Sequence, residues 1–226
     1  MVLTHASPFA DHFGASRTYE NLRRRLVWPN MIQDVKKFCS ECEICQKLKP
    51  KWIKPFDLIH TSATYPFQTV YIDFLGPFSG TVGMKYVLVM LDGLSRYVEL
   101  ESTLDTKSST VVNVVTRRIL CRWGIPVKIV FDGSASFKNE FAALCLRMKI
   151  GRHLSTPGYP QSHGIIERMN RVILQVLRSY LTLNVETTGD MVLCQIQFAI
   201  NSAKNRITGV APFRVVHGFD PIVQLD

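Results

Sequence analysis

The sequence predicts an α/β domain with a mixed sheet, preceded by a small helical module. Two observations support this division. The stretch 46–66 contains three prolines among scattered charges, which is typical of a linker. Beyond it, strand-like runs come first and stretches with helical spacing follow, as in layered α/β proteins. We therefore assign residues 1–50 to the helical module, 51–66 to the linker and 67–226 to the main domain.

The main domain opens with three strand-like runs, at 69–75, 85–91 and 96–100. Short turns, Gly76-Pro77 and Asp92-Gly93, separate them, so the sequence predicts an antiparallel meander. Apolar residues at helical spacing, and one short apolar run, then predict four helices and a buried strand. The helices are expected at 108–123, 137–148, 164–183 and 190–203, and the strand at 127–131. A mixed sheet with helices on both faces follows from this order.

The N-terminal module is expected to contain two short helices. Apolar spacing predicts the first within 17–28, with Ser16 or Thr18 as its N-cap, and the second from an Asn30 cap to about Cys42. Two helices of this length are too small to hold a hydrophobic core unaided. The module therefore needs another source of stability.

A metal ion can supply that stability through four residues with the pattern His-x6-His…Cys-x2-Cys: His5, His12, Cys42 and Cys45. Imidazole nitrogen and thiolate are the ligands of closed, tetrahedral structural zinc sites. The alternative is two surface histidines beside buried, reduced cysteines, with the spacing a coincidence. Cys39 and Cys42 also form a Cys-x2-Cys pair, but Cys39 shares a helical stripe with Val35, so we interpret it as a core thiol.

Charge, cysteine distribution and the length of apolar runs narrow the classes of function that this chain can have. The chain carries a net charge of +9, and residues 1–55 hold ten Lys/Arg against five Asp/Glu, a balance that suits phosphate backbones. Three of the six cysteines cluster and three lie singly, which favours a reducing intracellular setting over a disulfide framework. Neither a transmembrane helix nor a signal peptide is expected, because no apolar run has the required length or position.

Three carboxylates are placed where a site could form. Asp73 lies inside the first apolar strand, where a charge is costly without a cation or partner. Asp132 directly follows the strand at 127–131. Glu167 lies early in the long helix, and Asn170 is expected on the same side, away from the apolar stripe. If the three carboxylates converge, they could hold two hard divalent cations and support in-line phosphoryl displacement.

Taken singly, each of these acids is more simply a turn cap or a solvated charge. We interpret four other acids in this way, as turn and surface residues: Asp92, Glu99, Glu101 and Asp105.

Together these motifs resemble gypsy-type retrotransposon and retroviral integrases. The matching stretches cover nearly the whole chain in order: His5-Ala-Ser-Pro, His12-Phe-Gly, 22–29, 42–46, 71–77, 91–99, 122–126, 131–137, 156–170 and 208–213. The resemblance implies a zinc-binding N-terminal domain followed by a ribonuclease H-like core, with a mixed five-stranded sheet and flanking helices.

The same resemblance implies a polynucleotidyl transferase that processes DNA 3′ ends and joins them to a target duplex. Asp73, Asp132 and Glu167 match the family's acidic triad, which would bind Mg²⁺ or Mn²⁺. Four residues are implied as DNA contacts: Gln161, Arg168, Asn170 and Arg171. The implied partners are element ends, target DNA and further copies of the chain, and a DNA substrate implies a nuclear location.

The sequence also departs from the family pattern. Gly133 follows Asp132 directly, where the family has its glycine one position later, and this could re-aim the Asp132 carboxylate. Tyr159 and His163 stand where the family commonly has His and Asp, and no basic C-terminal module is expected after 208–213. These departures leave two other functions open. One is a catalytically impaired, domesticated DNA- or protein-binding module, and the other is a metal-dependent nuclease without joining activity.

Overall fold

A computed structural model describes residues 1–6, 12–48, 63–78, 84–154, 160–183 and 189–222. Residues 51–62 of the predicted linker lie outside these ranges. The strands are β1 (Thr69–Leu75), β2 (Tyr86–Asp92), β3 (Val98–Thr103), β4 (Lys128–Phe131) and β5 (Gly151–Leu154). The helices are α1 (Val2–His5), α2 (Ala15–Arg23), α3 (Met31–Glu41), α4 (Glu43–Leu48), α5 (Ser108–Val115), α6 (Cys121–Trp123), α7 (Asn139–Arg147), α8 (Pro160–Leu183), α9 (Gly189–Ser202) and α10 (Pro212–His217).

The five strands form one mixed sheet in the order β3-β2-β1-β4-β5. β1 and β3 both pair with β2 in antiparallel fashion, which confirms the predicted meander. β4 pairs in parallel with β1 and with β5, so the sheet is mixed as expected. The position of β5 was not predicted, because its four residues are exposed and carry no apolar alternation.

β1 lies at the centre of the sheet, with helices packed on both of its faces. Val70 and Ile72 point into a core formed with α5 and α7, whereas Tyr71 and Leu75 point into a second core formed with α8 and α9. Side chains alternate between the faces of a strand. Asp73 therefore shares the face of Tyr71 and Leu75, the face that α8 covers.

The helix predicted at 108–123 forms, but it is not uniform. α5 passes into a π-helical turn, Thr116–Leu120, before α6 completes the segment. Two consecutive residues of this turn, Arg117 and Arg118, both pair with Glu101 on β3. The π-helical turn is therefore joined to the sheet by two arginines that bind the same Glu101 carboxylate.

The acids predicted at the surface include two that are fully buried. Glu99 has no solvent exposure, and its carboxylate accepts hydrogen bonds from the Trp123 indole at 3.2 Å and the Gln197 amide at 3.1 Å. Arg122 pairs with it at 3.2 Å. Asp92 is also fully buried, although it is a turn residue as expected. The surface interpretation is wrong for Glu99, because three partners from other elements offset the cost of burying its charge.

α9 covers the outer edge of β3 with side-chain amides. Asn201 accepts from the Val98 backbone N–H at 2.8 Å and donates to the Val98 carbonyl at 2.9 Å. Gln197 accepts from the Leu100 N–H at 2.8 Å. These bonds occupy backbone groups that an open edge strand would present to another chain. Among the described residues, no helix combines the length and hydrophobicity needed to cross a membrane.

The N-terminal module has its own small core, made by α2 and α3: Leu22, Met31, Val35 and Cys39. Neither predicted cap of the first helix is correct. α2 begins after Gly14, so Ser16 and Thr18 lie within the helix, and Thr18 is buried. Asn30 does precede α3, but it takes a left-handed conformation (φ 61°) and its side chain makes no capping bond.

The module packs against the main domain. Phe13 belongs to the same buried cluster as apolar residues of α8 and α9. Ion pairs lie beside this contact, between Glu20 and Lys204 at 3.5 Å and between Arg24 and Asp220 at 3.8 Å. The ion pairs are partly exposed, so the burial of Phe13 contributes more of the docking energy than they do.

The buried Glu99 carboxylate makes stability depend on pH. Burial raises the pKa of Glu99 above its ordinary value of 4.5, although Arg122 pulls that pKa downward. Its contribution to stability is therefore fully present below pH 4.5 and is lost as the pH rises through the raised pKa of the folded state. Relative to Glu99→Gln, the wild-type free energy of unfolding should fall across this window, measured by urea unfolding from pH 4 upward. The exposed Glu140→Gln serves as control, and a pH-independent difference would contradict the prediction.

Candidate metal centres

The four predicted zinc ligands come together at one point of the N-terminal module. His5 ends α1, Cys42 lies between α3 and α4, and Cys45 lies within α4. With His12, each contributes one donor atom, and all four atoms lie within 4.8 Å of one another. Both histidines and Cys45 are buried, and Cys42 is partly buried. Ligands that are distant in sequence thus form one compact group.

Distances within this group fit a tetrahedral ion. The Cys42 Sγ lies 3.2 Å from His12 Nδ1, and the Cys45 Sγ lies 3.4 Å from His5 Nε2 and 4.0 Å from His12 Nδ1. Zinc binds sulfur at about 2.3 Å and nitrogen at about 2.0 Å, so tetrahedral angles separate its ligand atoms by roughly 3.5 Å. The donor set and its spacing therefore suit structural zinc.

Cys39 does not belong to the four-ligand group. Its side chain is buried beside Leu22 and Val35, in agreement with its interpretation as a core thiol. Its Sγ nevertheless lies 3.4 Å from His5 Nδ1, the ring nitrogen that does not face Cys45. Cys39 therefore contacts a ligand from outside the ligand group.

In the main domain, Asp73 and Asp132 lie toward the same end of two neighbouring strands. The parallel pairing of β1 with β4 runs as far as Tyr71 and Val130. Asp73 lies two residues further along β1, and Asp132 directly follows the last residue of β4. Because β1 and β4 are parallel neighbours, about 4.8 Å apart, both acids are placed near the carboxyl end of β4.

Both carboxylates are oriented by N–H donors. Asp73 Oδ1 accepts from the backbone N–H of Phe74 at 2.8 Å, and Asp73 Oδ2 accepts from the Asn170 side-chain amide at 2.7 Å. Asp132 Oδ1 accepts from the backbone N–H of Ser134 at 3.1 Å, which closes a short turn around Gly133. This turn sets the direction of the Asp132 carboxylate.

Glu167 approaches these acids through α8. Asn170 lies one helical turn beyond Glu167, so its bond to Asp73 also brings the turn that carries Glu167 against β1. Glu167 itself is exposed. Within the described residues, only the histidine and cysteine group is compact enough to hold an ion with three or more side chains. The structure therefore places two acids near the carboxyl end of β4 and the third nearby, without closing them into one ligand set.

The residues predicted to contact DNA differ in exposure. Asn170 is 8% exposed and lies in the core-facing row of α8 with Ile166 and Ile173, so its predicted position away from the apolar side is wrong. Helical periodicity explains the difference, because residues three and four apart share a face. Arg168 is partly buried, and its Nε donates to the Gly164 carbonyl at 2.8 Å. Arg171 is exposed, and the side chain of Gln161 lies outside the described residues.

Matches to known families add to this geometry. Residues 1–51 match the integrase zinc binding domain, and residues 63–160 match the integrase core domain. Both parts of the chain thus match integrase domains. The predicted resemblance is thereby confirmed, with the zinc-binding part preceding the catalytic core as expected.

Curated relatives of this chain come from viruses and transposons. The Pro-Pol polyprotein of feline foamy virus is 29% identical over 214 residues, which is 93% of this chain and 18% of the relative. The Pol polyprotein from transposon 412 of Drosophila melanogaster is 25% identical over 218 residues, covering 95% of this chain and 18% of the relative. The chain thus spans about a fifth of the length of these polyproteins.

Solved structures support the fold. The chain is similar to a chain of the simian T-cell lymphotropic virus intasome in complex with PP2A regulatory subunit B56 gamma. The TM-score is 0.63, with 19% identity over 97% of this chain and 78% of that one. The HTLV-2 integrase catalytic core domain in complex with magnesium (trimeric form) gives a TM-score of 0.57, with 20% identity over 68% of this chain and 99% of that one. The predicted fold class is confirmed.

The ligand geometry predicts which cysteines hold zinc. Cys42→Ser should lose the stoichiometric zinc of the purified chain and melt the N-terminal module, because a structural zinc site supplies folding energy. Cys39→Ser should retain zinc, since its sulfur lies outside the four-ligand group. Zinc content by mass spectrometry measures both, with the exposed Cys121→Ser as control. Loss of zinc in Cys39→Ser but not in Cys42→Ser would show that the ligand set is wrong.

The hydrogen bond from the Asn170 amide to Asp73 leads to a second prediction, about the affinity of the main-domain acids for divalent cations. Asn170→Leu keeps a side chain of similar size but removes the donor to Asp73, so the carboxylate should lose its fixed orientation. Mn²⁺ affinity, measured by titration calorimetry, should fall about 10-fold or more, as is usual when a group supporting a ligand is removed. Ser202→Ala, which removes a hydroxyl bond within α9, is the control. Unchanged Mn²⁺ affinity would rule out the orienting role of Asn170.

Proposed function

We propose that this chain is a DNA integrase, which processes DNA 3′ ends and transfers them to a target duplex. The main supporting observation is the position of Asp73 on β1 and of Asp132 directly after the neighbouring parallel strand β4, with Asn170 joining the Glu167 turn of α8 to Asp73. The core-domain match over residues 63–160 gives this arrangement its family context.

We infer that Asp73, Asp132 and Glu167 hold Mg²⁺ or Mn²⁺. The donor chemistry fits, because carboxylate oxygens are the preferred ligands of these hard cations. When bound, the cations would supply charge neutralisation at the scissile phosphate. The chain itself provides positioning: the Phe74 N–H and the Asn170 amide orient Asp73, and the Ser134 N–H orients Asp132. Ligands held in this way need little reorganisation during the reaction.

The zinc site has a different role in this proposal. His5, His12, Cys42 and Cys45 would hold one structural zinc ion, because they form a closed set without a position for substrate. The site would join α1 and α4 to the α2–α3 core. Phe13 follows His12 directly and packs with α8 and α9, so the folded module would also brace the helix that carries Glu167.

The proposal includes DNA and further copies of the chain as partners. A net charge of +9 and the exposed Arg171 near Glu167 favour contact with phosphates. Roles for Gln161 and Arg168 at the DNA remain predictions. Solved neighbours described as an intasome and as a trimeric core support assembly as a homo-oligomer. A nuclear location follows from the DNA substrate and is part of the same proposal.

A joining assay tests the activity. The purified chain is incubated with Mn²⁺ and a duplex that carries matched terminal repeats, and joined products are resolved by electrophoresis. Asp132→Asn should reduce joining on the order of 100-fold or more, because a neutral amide is a weaker ligand for the cation that would neutralise charge at the reacting phosphate. Glu140→Gln, an exposed acid on α7, is the matched control and should join at the wild-type rate.

Other outcomes of the same assay separate the remaining functions. Nicking without joining, lost in Asp132→Asn, would identify a nuclease of the same fold. Salt-sensitive DNA binding that survives Asp132→Asn, with neither product, would identify a binding module and overturn the integrase proposal.

A further inference from the structure

We propose that Thr18 is a positioning residue of the zinc site, which sets the tautomer of His5 and anchors the chain beside His12. The inference rests on the proposal that the four-ligand group holds zinc. Thr18 has no solvent exposure and lies in the second turn of α2, outside the ligand group. The Thr18 hydroxyl lies between the segments that carry His5 and His12. Its hydrogen bonds account for both proposed roles, setting the tautomer and anchoring the chain.

The His5 ring has different neighbours at its two nitrogens. Nε2 faces the ligand group, with Cys45 Sγ at 3.4 Å. Nδ1 faces the core of the module, with Thr18 Oγ1 at 3.3 Å and Cys39 Sγ at 3.4 Å. A neutral imidazole carries a proton on one nitrogen and a lone pair on the other. Zinc binding at Nε2 therefore requires the proton to be on Nδ1.

Thr18 selects this tautomer because its single hydroxyl hydrogen is already used. The hydroxyl donates to the Phe13 carbonyl at 3.1 Å. Toward His5 the oxygen can then act only as an acceptor, so Nδ1 must donate to it. The Cys39 thiol lies 3.7 Å from the same oxygen and also donates to it. These assignments are mutually consistent and leave the Nε2 lone pair directed at the ligand group.

The bond to Phe13 gives Thr18 its second function. Phe13 follows His12 directly in the chain, so fixing its carbonyl fixes the backbone that carries the second imidazole ligand. One buried hydroxyl therefore holds His5 through a ring nitrogen and His12 through the adjacent carbonyl. Residues that lie outside a ligand group and hydrogen-bond to its members orient those ligands and raise metal affinity.

Substitution tests this role. Thr18→Val replaces the hydroxyl with a methyl group of similar size and should weaken zinc binding about 10- to 100-fold, whereas Thr18→Ser should stay within about 3-fold of wild type. Affinity is measured on the whole chain by competition with a chelator. Thr103→Val is the matched control, because the buried Thr103 hydroxyl has no hydrogen-bond partner among the described residues.

A spectroscopic readout separates positioning from general destabilisation. In the zinc-loaded, ¹⁵N-histidine-labelled wild type, His5 should show a protonated Nδ1 and a metal-bound Nε2. Thr18→Ser should reproduce this spectrum. A wild-type His5 bound through Nδ1 would overturn the proposal even if Thr18→Val failed to fold. Equal zinc affinity in Thr18→Val and wild type would also overturn it, whereas a wild type that takes up no zinc would refute the zinc site itself.

Discussion

The parallel pairing of β1 with β4 is the constraint on which the main domain depends. β1 is the only described strand with an antiparallel neighbour on one side and a parallel neighbour on the other. Its parallel pairing places Asp73 near Asp132 at the carboxyl end of β4, and its antiparallel register builds the meander whose outer strand α9 covers. A slip of one residue would turn Asp73 away from α8 and into the opposite core. Fold and candidate site are therefore set by the same register.

Neutral polar side chains orient residues of both candidate metal centres. Asn170 in α8 is buried and donates to Asp73 on β1, and Thr18 in α2 is buried and contacts His5 at the end of α1. A neutral amide or hydroxyl can be buried at lower cost than a charge, provided that its hydrogen bonds are made. Such residues can therefore orient ligands inside a core, where a second charged group would be costly.

The N-terminal module shows how a small core is supplemented. Its own apolar cluster is limited to residues of α2 and α3, and the ligand group and the docking of Phe13 extend it on two sides. The ligand group brings the first and last helices of the module together, and Phe13 packs the module against helices of the main domain. Because His12 and Phe13 are adjacent, the histidine and cysteine group and the docking contact involve the same short segment.

Local patterns in the sequence were sufficient for the fold class, for most strands and helices, and for the four histidine and cysteine residues that come together in the N-terminal module. These features depend on residue type and spacing along the chain. Tertiary structure decided the rest. Glu99 is buried because partners from distant elements meet it, β5 forms because β4 offers it an edge, and Asn170 and Thr18 face ligands because of how α8 and α2 pack. Spacing within one segment cannot encode such contacts, since each depends on the position of a second element in space.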